Sequence, residues 1–122
     1  MRFAIFLSSI VLLLGGCTAT PPIDPANGLQ RNSAEWRGQK FASSRCADCH
    51  SIGYGESSPL AAAPSFSAVA NTPGLSSDLL AGWLRDHGNY PDEMYFEIPA
   101  EGIDDLVAYM LTLRRAERQD PA

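Results

Sequence analysis

Positive charge is scarce in this chain of 122 residues: 9 Lys and Arg face 14 Asp and Glu, for a formal net charge of −5. Nucleic-acid binding needs a basic face to neutralise phosphate, so that class of partner is excluded. Strand signals are missing too. No stretch alternates convincingly between apolar and polar residues, and no repeat or low-complexity tract is visible. Histidine occurs twice and cysteine three times. A structural zinc site takes four ligands. After Cys46, Cys49 and His50 only His87 is left, at no recognised spacing. A dithiol redox site normally opens a helix within alternating strands and helices, a pattern the chain lacks. The apolar run Phe3 to Leu14 is too short to span a bilayer, which takes about 20 residues. The length allows one domain at most. A domain this small buries little core by itself, and a large apolar cofactor could supply the missing interior.

What is present is Cys46-Ala47-Asp48-Cys49-His50. Two thiols three residues apart, followed directly by an imidazole, is the spacing by which a polypeptide is stitched to haem. The thiols add across the two vinyl groups and become thioethers, and the imidazole reaches the iron.

The first 16 residues read as a signal peptide: a positive start at Arg2, the short apolar run, then Leu14-Gly15-Gly16-Cys17. Those four residues resemble a bacterial lipobox, with lipidation at Cys17. The alternative is an ordinary signal peptide that leaves Cys17 a free thiol, which an oxidising compartment disfavours. More than one acyl chain on Cys17 would anchor the protein durably. Residues 17–32 carry Pro21-Pro22, Pro25 and Asn27-Gly28 without apolar periodicity. They are expected to form an extended tether, spanning about 20 Å if flexible and roughly twice that if stretched. The expected location is a periplasm-facing membrane. Inner versus outer membrane stays open, with Thr18 after the cysteine leaning toward the outer one.

Helices account for the rest. Ser33 should cap a helix to Ser44, with Gly38 inside it as a point of close approach for the last helix. Residues 52–63 read as a loop, and Ser67 to Ala70 as a short helical turn. Ser76 or Ser77 caps a helix through Leu79, Leu80, Trp83 and Leu84, ending near His87-Gly88-Asn89. Pro99 is expected as the first residue of a last helix running to about Arg118. Its apolar stripe is Ile103, Leu106, Val107, Met110 and Leu113, with Arg114, Arg115 and Arg118 at the end that favours cations. Residues 119–122 are expected to be a disordered tail.

In that order of features, residues from about 33 to 116 resemble a small class I cytochrome c. The resemblance rests on Gly38 before the motif, Cys46-Ala47-Asp48-Cys49-His50, Pro64 after a loop, Met94 before the last helix, and Asp105-Leu106-Val107-Ala108-Tyr109 within it. It implies an all-α, cytochrome c-like fold over 33–118, with three or four helices wrapped around one covalently bound haem c. Cys46 and Cys49 would carry the thioethers and His50 would be the proximal ligand. The Pro64 carbonyl would accept the other ring N–H of His50, and Met94 would be the distal ligand. Gly38 and Tyr109 would meet where first and last helices touch. His87 as distal ligand, or an open distal site, are the alternatives, and Met110 reads as core. Trp83 and Tyr54 are candidates for the haem propionates or for plain packing. Asp92, Glu93, Glu97 and Glu101 either steer a basic docking patch or are only a wet surface. The implied function is one-electron transfer between redox partner proteins, without enzymatic turnover. A haem sensor, a peroxide-reducing enzyme and a fixed haem subunit of a larger complex are the rivals.

Overall fold

Ser33 opens the first helix, α1 (Ala34–Arg45): its side-chain oxygen accepts from the Trp36 N–H at 3.2 Å. Glu35 in the first turn and Arg45 in the last both suit the helix dipole. The computed structural model describes residues 19–94 and 96–114, and every regular element of four residues or more among them is helical. The same serine device repeats twice. Ser65 caps α2 (Phe66–Ala70) and Ser76 caps α3 (Ser77–Arg85), each accepting an N–H at 3.1 Å. A 3-10 turn over His87–Asn89 follows, separated from α3 because Asp86 turns to accept the Gly88 N–H. The last helix is α4 (Ala100–Thr112).

The core lies where α4 meets α1 and α3. Ile103, Leu106, Val107 and Met110 of α4 are buried with Leu80, Ala81 and Leu84 of α3. Against α1 the contact is backbone on backbone. A Cβ on Gly38 would overlap the Asp105 carbonyl and lie 2.8 Å from Tyr109 Cβ. Arg37 rivets this crossing. Its Nε and Nη2 each donate to the Asp105 carboxylate at 2.6 Å, and its Nη1 donates to the Asn32 carbonyl at 2.7 Å.

Two boundaries differ from those expected. Pro99 stands at the cap of α4 with no side-chain bond of its own, and the helix begins at Ala100. At the other end α4 stops at Thr112 instead of running to Arg118. The turn after α2 ends it: Asn71 Nδ2 donates to the Leu113 carbonyl at 3.1 Å, and the Arg114 guanidinium donates to the Ala70 and Leu75 carbonyls. Arg115, Arg118 and the expected tail lie outside the described residues, as do the signal segment and Cys17.

Residues 22–31, expected within an extended tether, form a closed loop on α1 instead. Ile23 pairs with Gln30, and the Arg31 N–H donates to the Pro22 carbonyl at 3.0 Å. Asp24 is 8% exposed; its carboxylate accepts from the Trp36 indole Nε1–H at 2.8 Å and from the Ala26 N–H at 3.0 Å. The prolines do stiffen the segment, but Asp24 begins a turn that Gly28, at φ +70°, completes.

The Trp36 hydrogen bond, then the Ala26 N–H, hold the Asp24 carboxyl below the usual carboxylate range. A depressed pKa in the folded state stabilises the loop at neutral pH, and that contribution is lost as pH falls through the folded value. The Trp36 indole N–H resonance should therefore shift only below the ordinary carboxylate range. A midpoint within that range would contradict the bond.

Candidate functional site

The end of α1 builds the first part of the site. Cys46 caps the helix, its N–H donating to the Ala42 carbonyl at 2.9 Å. The Cys46 carbonyl then accepts from both the Cys49 N–H at 3.2 Å and the His50 N–H at 2.8 Å. This tight turn faces Cys46 and His50 into one slot, while Cys49 is exposed. Burial, and secondarily Cys49, push the Cys46 thiol up to about 11.

His50 Nδ1 lies 2.7 Å from the Pro64 carbonyl oxygen. A carbonyl can only accept, so Nδ1 carries the proton and Nε2 keeps its lone pair. Such a bond fixes the tautomer of a metal-binding imidazole and raises its basicity. The Phe66 ring packs beside it, with centroids 5.7 Å apart. The loop that brings Pro64 there is Ser-rich and reads as structureless, yet it is pinned throughout. The Leu60 N–H donates to the Cys49 carbonyl, the Phe66 N–H to the Ser51 carbonyl, and the Ser51 N–H to Ser58 Oγ. The Tyr109 hydroxyl donates to the Ile52 carbonyl at 2.7 Å, which ties the loop to α4.

Met94 reaches the same slot from the irregular segment before α4, its N–H donating to the Pro91 carbonyl at 2.8 Å. The slot is a cavity of about 60 Å³ with no charged side chain in its lining. Met94 and Phe96 separate it from an outer cleft of about 410 Å³, bordered by His87, Tyr90, Asp92 and Glu97. Small-molecule sites typically take 300–1,000 Å³ (roughly). The outer cleft alone falls in that range, and the slot lies directly behind Met94 and Phe96.

The sequence candidates therefore divide. Cys46, His50 and Met94 line one slot, and Pro64 holds His50. His87 borders the outer cleft and not the slot, its ring tilted against Tyr90 with centroids 5.3 Å apart. Met110 lies on the slot wall, buried within the α4 core. Trp83 lines the slot and stacks on Tyr90 at 5.4 Å, whereas Tyr54 is exposed and borders neither cavity. Asp92 and Glu97 border the cleft, with Glu93 and Glu101 exposed nearby in the chain. Sequence reading missed Phe66, Phe96 and Ile98 as slot walls and Tyr90 as the brace of α3, through its hydroxyl bond to the Leu84 carbonyl. The available signal was the large apolar residues soon after Pro64 (Phe66) and Met94 (Phe96 and Ile98).

The donor set suits haem c: two thiols in one turn, an imidazole presenting Nε2, and a thioether on the wall of an uncharged slot. Comparison with known proteins points the same way. A family model described as cytochrome c matches residues 36–114. The cytochrome c-552 of Bradyrhizobium diazoefficiens is 35% identical over 77 residues, covering 63% of this chain and 72% of that protein. No solved structure matches the chain.

Proposed function

The chain belongs to the cytochrome c family, and on that premise we propose that it is a membrane-tethered electron carrier in which His50 and Met94 would hold the haem iron. It is a haem electron-transfer protein, a carrier and not an enzyme, with one covalent haem c per chain. The bound haem supplies one-electron exchange between ferric and ferrous iron. The residues around it do the rest. Cys46 and Cys49 hold the porphyrin by thioether bonds, so it cannot dissociate in an open compartment. Pro64 locks His50 in the tautomer that offers Nε2. Leu80, Leu84, Phe96 and Ile98 keep water from the slot. A nitrogen and sulfur ligand pair raises the reduction potential relative to harder pairs.

The observation that carries the ligand assignment is the shared slot: His50 and Met94 line it together, while His87 does not. The lipobox-like Leu14-Gly15-Gly16-Cys17 is what supports the tether and a periplasm-facing membrane location. Asp92 and Glu97 at the outer cleft favour a partner with a basic docking patch. Electron transfer to that partner should slow as ionic strength rises, and Asp92→Asn with Glu97→Gln should flatten the dependence. The direct test is expression in cells able to mature haem c. The membrane fraction should carry a low-spin c-type spectrum, and Cys17→Ser should move it to the soluble fraction. Colourless protein, or coloured protein soluble in both forms, would refute the haem and the anchor respectively.

A further inference from the structure

The segment between Cys17 and α1 contributes nothing to the haem slot, yet most of it is folded onto the domain. The Asp24 carboxylate is clasped by the Trp36 indole at 2.8 Å, Asn27 Nδ2 donates to Gln39 Oε1 at 3.3 Å, and Leu29 packs against the core. The Arg31 N–H closes the loop on the Pro22 carbonyl. Pro22 is therefore the point at which the chain leaves the folded domain, and only Thr18, Ala19, Thr20 and Pro21 separate it from Cys17.

We propose that the Asp24–Trp36 clasp sets the reach of the lipid tether, holding the haem domain on a linker of four residues where the sequence offers fifteen. The proposal rests on the reading that Cys17 is lipidated. From Cys17 to Pro22 the backbone extends at most about 18 Å; with the clasp open, from Cys17 to Ser33, it extends at most about 55 Å. The clasped domain therefore stays against its own bilayer. The partner it fits is a redox protein whose centre stands close to the surface of that same membrane. A carrier meant to sweep a wide volume has no use for a loop that removes most of its leash.

The test uses the lipidated holoprotein in phosphatidylcholine vesicles carrying a headgroup fluorophore, which the haem quenches when near. Ten Gly/Ser residues are inserted between Thr20 and Pro21, outside the clasp. Flexible linkers lengthen as the square root of residue number. A four-residue linker should grow about 1.9-fold on insertion, and a fifteen-residue one only about 1.3-fold. Quenching should therefore fall steeply on insertion into the natural chain. It should fall weakly on insertion into Asp24→Ala/Trp36→Phe, where the clasp is already open. An equally weak fall in both backgrounds overturns the clasp. Should the double variant not fold, the insertion in the natural chain decides alone, because 1.9-fold and 1.3-fold are separable. Flotation with the vesicles is measured first. Protein that fails to float overturns the lipid reading and this proposal with it, whereas protein that floats and lengthens only 1.3-fold overturns the clasp and leaves the anchor standing.

Discussion

Gly38→Ala should destabilise the folded haem protein by about 3 kcal/mol or more, and Gly38→Val should leave little of it to recover. The sign is the informative part. At an exposed helix position, glycine to alanine stabilises by roughly 1 kcal/mol. At Gly38 the added carbon meets the Asp105 carbonyl, which is backbone and cannot swing aside. The two helices must separate. That separation would pull Arg37 from the Asp105 carboxylate and Tyr109 from the Ile52 carbonyl. Denaturant unfolding of the holoprotein checks it. A midpoint at or above that of the natural chain would mean that α1 and α4 do not cross here.

Met94→Ala should have the second large effect, and it acts on the iron where Gly38→Ala acts on the fold. On the proposed His50 and Met94 ligation, losing the thioether would open one ligand position. The reduced protein should then bind carbon monoxide readily, and the weak sulfur-to-iron band of the oxidised protein should disappear. The potential should drop by a sizeable part of the roughly 0.8 V that axial ligands command. Two controls separate this from general damage. His87→Ala should change neither spectrum nor carbon monoxide binding, because His87 borders only the outer cleft. Met110→Ala should cost about 2–5 kcal/mol of stability while the ligand band survives, because its sulfur belongs to the α4 core. A band retained in Met94→Ala and lost in His87→Ala or Met110→Ala would transfer the ligand role.

Local chemistry was legible in the sequence and distant chemistry was not. Ser33, Ser65 and Ser76 act on N–H groups three residues away, so a short window suffices to place the helix starts at Ser33 and Ser76. The thiol and imidazole spacing is equally short-range. The end of α4 depends on Asn71 and Arg114, whose partners lie about 40 residues off, and helix propensity alone carries the pattern past Thr112. The 22–31 loop misleads for a related reason. Its prolines advertise extension, while the bond that folds it joins Asp24 to a tryptophan in the next element. Pro64 was reachable only through the family resemblance, since nothing in a serine-rich loop announces which carbonyl will meet His50.

The crossing of α1 and α4 also orders events as the chain folds. Among the described helices α1 packs only on α4, so residues 38 and 105 must meet before α1 has a helical partner, and the stretch between them holds most of the domain. Contacts this distant in sequence close late. Until α4 has emerged, α1 has no helix to dock on, and Cys46, buried in the finished molecule, would still be within reach of whatever machinery attaches the porphyrin. A chain that could fold its front half early would shut that window; an α1 that must wait for α4 keeps it open longer.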